Sequence, residues 1–132
     1  MQGFCFYPAG HLWHYVVMYL VYLRTDYGEY ILKIVHVLLH SGILVIVCNL
    51  AYKYFKVSPM KAQLVCFILL GNEEVRELNQ LCFNDSLLAF YLFLCVLLVT
   101  NNSAYLASLA FTLSLSIKAG ALLLLPALLG WI

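Results

Sequence analysis

Apolar residues along this chain gather into long blocks, with polar residues collected between them, and five such blocks can be marked. The first, "HLWHYVVMYLVYL" (residues 11–23), falls short of the roughly 20 residues a helix needs to cross the hydrocarbon core. It is rich in Tyr, Trp and His, which favour the membrane–water boundary. It therefore predicts an interfacial helix inside a segment running over residues 1–30, with a short span as the rival reading. The second, "ILKIVHVLLHSGILVIVCNLAY" (31–52), is long enough to cross, and Lys33 near its start can snorkel to water. The third, "KAQLVCFILLG" (61–71), crosses only with its neighbours' help, giving a candidate span at 60–72. The fourth covers residues 86–100 and carries no charge. The fifth, 104–132, is interrupted by Lys118, Gly120 and Pro126. It is either one span with a break, which Pro126 can kink, or two half-spans. The expected fold is all-α: a single membrane domain over 1–132, built as a multi-spanning transmembrane helical bundle.

Composition makes lipid part of the solvent. Of 132 residues, 65% are hydrophobic and 10% charged, against about a quarter charged in ordinary globular domains. Mean hydropathy is +0.96. A core of this size cannot hide so much apolar surface. The formal net charge of +1 gives no clustered cation field for phosphate neutralisation, so nucleic acid is excluded as a partner. The start "MQGFCFYPAG" lacks the basic region and continuous apolar core of a cleavable signal. Insertion then rests on the internal blocks, or on a segment preceding this chain.

Charge placement orients the blocks. Lys53, Lys56 and Lys61 cluster in "KYFKVSPMK" between the second and third blocks, which marks that loop as cytoplasmic. Residues 1–30 and the segment "NEEVRELNQLCFND" (72–85) then share the opposite face, the lumen in an endomembrane setting. "CFNDS" places Asn84 and Asp85 at that face, against an apolar run. An Asn or Asp there caps the free N–H groups of a following helix. It can equally bind a sugar hydroxyl or a cation, or act as a base, and the two readings coexist. The sequons "NDS" and "NNS" (101–103) are poor acceptors, one pressed against the membrane and the other cytoplasmic in this orientation.

Lys118 is the sharper anomaly. A charge inside an apolar block is costly unless it is paired or reaches water. An anionic lipid phosphate is a natural partner; the plainer reading is a lysine snorkelling from the end of a half-span. His36 and His40 share a helical face at a spacing that suits a metal, but no carboxylate or cysteine completes a set, so packing or interhelical hydrogen bonding is expected. His11 and His14 read as a polar stripe facing water. The five cysteines, Cys5, Cys48, Cys66, Cys82 and Cys95, are odd in number and show no CxxC spacing. Neither a disulfide framework nor a zinc site is suggested. Those inside apolar runs, Cys48, Cys66 and Cys95, read as small buried hydrophobes. No GxGxxG, P-loop, HExxH or GxSxG pattern occurs, so soluble nucleotide chemistry finds no support. No cofactor and no metal is expected.

The set "YPAGHLWHYVVMYL" (7–20), "CFND" (82–85) and "SLSIKAGALLLLPALL" (114–129), in this order and spacing, resembles the dolichyl-phosphate-mannose-dependent alpha-1,3-mannosyltransferases of asparagine-linked glycosylation. These are multi-spanning glycosyltransferases of the C fold in the endoplasmic-reticulum membrane. The resemblance implies dolichyl phosphate mannose as donor and the five-mannose dolichyl-diphosphate oligosaccharide as acceptor. It also implies that Tyr7, Pro8, Ala9, Gly10 and His11 shape the luminal wall, that Asn84 and Asp85 line the sugar site, and that Lys118 faces the lipid phosphate. Where the family has a basic residue two positions before Phe-Asn-Asp, this chain has Leu81, preceded by an acidic segment. The family's luminal acidic loop ahead of the "YPAG" segment, the expected seat of the catalytic carboxylate, is not in this sequence. The resemblance thus casts the chain as an internal piece or truncated product of a larger transferase. Its catalytic base is unassigned, with Asp85 the remaining candidate. Two other classes compete: a non-catalytic membrane protein joining other spans through small and polar residues such as Ser41, Gly42, Ser103, Ser108, Thr112 and Ser114, and a small transporter built around Lys118 and Asp85.

Overall fold

The computed structural model describes residues 8–73, 77, 82 and 84–131. Among them every regular element is helical and no strand occurs: α1 (Ala9–Arg24), α2 (Gly28–Phe55), α3 (Pro59–Leu70), α4 (Asp85–Thr100), α5 (Ala104–Ile117), a 3-10 stretch (Ala119–Leu124) and α6 (Leu125–Trp131). The chain is thus all-α. One helix among the described residues, α2, is long and apolar enough to cross a membrane by length and composition. At 1.5 Å per residue it reaches about 42 Å, whereas the 16-residue α4 reaches about 24 Å, short of the ~30 Å hydrocarbon layer.

The helix ends follow the residues that punctuate the blocks. Lys56 ends α2 with a positive φ of 53°, and the Val57 N–H returns to the Ala51 carbonyl. Pro59 opens α3 at the first helical position, where its missing N–H removes no helical bond. Asn102, at φ 59°, turns α4 into α5. The Asn102 and Ser103 N–H groups donate to the carbonyls of Val99 and Leu98, both at 2.9 Å, a left-handed cap of the kind asparagine tolerates.

The tight turn at 101–103 folds α5 back on α4, and the seam between them is made of small residues. Cys95 is fully buried against Ala107 and Ala110, with Leu94, Leu98, Val99, Phe111 and Leu128 around them. Small side chains let the two backbones approach closely, and dispersion contacts follow. α2 lies parallel to α4: Gly42 meets the Phe90 ring, and further along, Lys53 and Tyr54 meet Asn101 and Thr100. α1 runs back along the first part of α2, with His14 facing His36. Outside these seams the surface is apolar, with Trp13, Tyr19, Phe55, Phe67, Tyr105 and Leu123 all exposed.

The block 104–132 is not one continuous helix. The chain is extended at Lys118 (φ −150°, ψ 127°), passes through the 3-10 stretch and re-enters a helix at Leu125. Pro126 therefore kinks nothing: it sits in the first turn of α6, where proline is tolerated. Of the small residues expected to join helices, Gly42 and Ser114 are packed. Ser41, Ser108 and Thr112 are exposed and bond the carbonyl four residues back in their own helix.

Candidate functional site

Three segments far apart in sequence meet at one end of the bundle. The first is the start of α1. The Pro8 carbonyl accepts a bond from the His11 N–H at 3.1 Å, opening the helix. Gly10 then lies directly on the last turn of α5. A Cβ at position 10 would stand 2.6 Å from the Ser116 carbonyl oxygen and 2.8 Å from its carbonyl carbon. Only glycine permits this approach, and the approach brings His11 to the mouth of α4.

The second segment is the start of α4. Asn84 holds the N-cap position, yet its side chain makes no capping bond. Instead the amide Nδ2 donates to His11 Nδ1 in a close contact, and Asn84 is only 4% exposed. The side chain is thus committed to tying α1 to α4 rather than to its own helix. Asp85 follows in the first turn, where the helix macrodipole favours a carboxylate.

The third is the break after α5. Lys118 Nζ donates to Asp85 Oδ1 at 2.9 Å, and the two side chains are 50% and 38% exposed. Pairing lowers the cost of holding a lysine beside so much apolar surface. It leaves both groups open to exchange with a ligand, because a half-exposed pair is held by little net energy.

Of the residues singled out from the sequence, Pro8, His11, Asn84, Asp85 and Lys118 lie in this one cluster, while Tyr7 lies outside the described residues. The lysine loop is at the far end of the bundle. There Lys53 Nζ donates to Asn101 Oδ1 at 2.5 Å and the Tyr54 hydroxyl donates to the Thr100 carbonyl at 2.5 Å.

One histidine expectation changes. His14 does not belong to a water-facing stripe: its ring meets His36 edge to face at 5.8 Å between centroids, and its Nε2 is buried without a partner. Burial, then the neighbouring His36 and His11, holds the His14 imidazole below its ordinary pKa of 6.5. His36 is 1% exposed and donates from Nδ1 to the Leu32 carbonyl at 2.9 Å. Sequence reasoning missed this pairing and the contact of Gly10 with Ser116. The first was open to inspection: positions 14 and 36 lie twelve and ten residues from Asp26, the centre of the turn between α1 and α2, so a tight helical hairpin puts them at about the same level. The second had no local signal. Among the described residues no group of three His, Cys, Asp or Glu side chains is placed to hold a metal ion.

Comparison with known families decides the relationship. A family model described as "ALG3 protein" matches residues 1–132. The chain belongs to the ALG3 family. ALG3 proteins are endoplasmic-reticulum membrane glycosyltransferases, mannosyltransferases of N-glycan precursor synthesis that use lipid-linked sugars. No curated protein and no solved structure matches the chain.

Proposed function

We propose that this ALG3-family chain takes part in transferring mannose from dolichyl phosphate mannose to the five-mannose dolichyl-diphosphate oligosaccharide, in an alpha-1,3 linkage. It does so as a multi-pass protein of the endoplasmic-reticulum membrane. The supporting observation is the Lys118–Asp85 pair beside the buried Asn84–His11 contact: a cation, a carboxylate and an amide gathered from three segments at one end of the helices. The working topology sets spans at 31–52, 60–72 and 86–100, with residues 1–30 luminal and the stretch 104–132 broken at Lys118 on that same side.

The chemistry needs three things. The donor's phosphate leaves with negative charge, so a cation must meet it; Lys118 supplies one at the mouth of the bundle. The mannose ring must be oriented by acceptors and donors for its hydroxyls; Asp85 accepts, while Asn84 contributes its amide carbonyl, its Nδ2 being engaged with His11. The acceptor hydroxyl must lose a proton to a base as the anomeric carbon is attacked from the side opposite the phosphate. Asp85 begins ion-paired to Lys118. Arrival of the lipid phosphate gives Lys118 a new partner and releases Asp85 toward the sugar. Asp85 is the candidate base on this chain, with Tyr7, Pro8 and His11 forming the wall beside it.

The test is transfer itself. Microsomes from cells lacking their own alpha-1,3-mannosyltransferase of this pathway, expressing the complete open reading frame, are supplied with labelled dolichyl phosphate mannose and the five-mannose acceptor. A six-mannose product that depends on Lys118 supports the proposal. Transfer that is absent, or that survives Lys118→Ala unchanged, overturns it.

A further inference from the structure

The lysine end of the bundle holds a feature that the mannosyltransferase reading does not use. Cys48 on α2 and Cys66 on α3 lie eighteen positions apart in sequence, yet their sulfur atoms are 3.0 Å from each other. Both are thiols and both are half-buried. A disulfide needs the sulfurs at about 2.05 Å, on Cα positions already close together. Two helices that hold their thiols in contact therefore need an adjustment of only about 1 Å in the sulfur positions to form one.

Their surroundings admit a reagent. Each cysteine is five residues from a lysine of the loop, Lys53 and Lys61 respectively, so the pair is about a turn and a half inside the bundle end. Two open grooves of about 400 and 360 Å³ flank it, lined by Ser41, Asn49, Tyr52, Gln63 and Phe67 among others. Cys95 differs, being fully buried in the α4–α5 seam against Ala107 and Ala110. α3 packs chiefly on α2 and leaves Met60, Leu64, Val65, Phe67 and Ile68 exposed, so a covalent tie would change how firmly it is held.

We infer that Cys48 and Cys66 form a redox-sensitive dithiol site that a small neutral peroxide converts to an intramolecular α2–α3 disulfide. One thiol gives up its proton and its sulfur attacks a peroxide oxygen; the O–O bond breaks, hydroxide leaves and takes up that proton as water, and a sulfenic acid remains. The second thiol attacks that sulfur, the S–O bond breaks, and hydroxide leaves with the thiol proton as a second water. Two electrons pass from the thiols to the peroxide. A reducing thiol reverses the reaction by exchange.

The test uses the full chain in detergent micelles or microsomes, treated with hydrogen peroxide, alkylated and mapped by mass spectrometry without reductant. Titratable thiols in the denatured chain should fall from five to three. One linked peptide pair should contain Cys48 and Cys66, and dithiothreitol should release it. Cys48→Ser and Cys66→Ser should each abolish the link, whereas Cys95→Ser should leave it intact. Linkage through Cys82 or Cys5, cross-links only between chains, or oxygen adducts on single cysteines with no linked pair would each overturn the inference. The readout requires no mannose transfer, so its failure is distinct from failure of the proposed function.

Discussion

At both ends of the bundle a lysine reaches across to a neighbouring helix, and the partners differ in kind. At one end Lys118 meets a carboxylate, Asp85, in the first turn of α4, with buried Asn84 and His11 alongside. At the other, Lys53 meets the neutral amide of Asn101, just past the last turn of α4, while Tyr54 bonds the Thr100 carbonyl. The second arrangement is what the end of a helix asks for. Its last carbonyls lack partners, and a cation nearby answers the negative end of the dipole. The first arrangement goes beyond that need, because a charged pair half open to solvent adds little stability. A pair that contributes little to folding, at a mouth lined by groups from three segments, is what the proposed binding role asks for.

The largest expected effect breaks this comparison directly. Lys118→Ala should lower mannose transfer about 100-fold, the scale of losing one group that stabilises a leaving charge. Asp85→Asn should lower it by a similar factor. Neither should change the thermal unfolding midpoint in detergent by more than the pair's small net contribution, under about 1 kcal/mol. The double exchange Asp85→Lys with Lys118→Asp keeps opposite charges facing each other but moves the cation. Full recovery of transfer in that variant would contradict a phosphate-facing role for Lys118. Lys53→Ala, at the other end, should leave transfer within about twofold of the parent.

How much of this arrangement was legible in the sequence depends on the range of the contact. The helical class and the break at Lys118 were readable because hydropathy and the residues that interrupt it act locally; the element ends at Pro59 and Asn102 rest on turn geometry that the blocks do not show. That Asn84, Asp85 and Lys118 attract attention was readable too, since polar groups against apolar runs are costly and need a reason. Their partners were not. Asn84 could be read as a cap because capping is the local use of its side chain; its actual bond spans 73 positions to His11. Cys48 and Cys66 looked like separate small hydrophobes because nothing within either block reveals the facing helix. A resemblance to a family supplied the grouping before the geometry did.

A smaller effect is expected from the packing that assembles the mouth. Gly10→Val puts a branched side chain where even a Cβ stands 2.6 Å from the Ser116 backbone. The start of α1 must then lift from α5. The cost should be about 1–3 kcal/mol, the range for overpacking, and the His11–Asn84 contact should loosen with it. Thermal unfolding and amide exchange of α1 measure this. Unchanged exchange would mean that Gly10 does not set the distance between the two segments.

Acid should loosen the same hairpin by a different route, and less. The His14 imidazole, buried against His36, has its pKa held below 6.5, so docked α1 binds its proton less readily than undocked α1. Docking is then fully stable above pH 6.5 and weakens as pH falls through 6.5 toward the depressed value. Below that value no further loss from this group follows. Amide exchange of α1 should therefore quicken between neutral and mildly acidic pH, and His14→Phe should flatten the dependence. A dependence that persists in His14→Phe would remove His14 as its origin.

The smallest effect belongs to the lysine end, and it sharpens the comparison because it should be nearly silent. Lys53→Gln removes a cation that also lies 5.3 Å from the centre of the Tyr54 ring, but it keeps a donor, one bond shorter, that can still turn toward Asn101. The exposed hydrogen bond contributes about 0.5–1.5 kcal/mol at most, and glutamine retains part of it. Removing the charge gives up the dipole interaction, about 0.3–1 kcal/mol at an exposed helix end. The unfolding midpoint should therefore fall slightly, and more at low ionic strength than at high, because salt screens only the charge-dependent part. Mannose transfer should not follow it. A loss of transfer comparable to that of Lys118→Ala would mean that the two ends are coupled through α4, and that the site extends along the helix instead of stopping at its first turn.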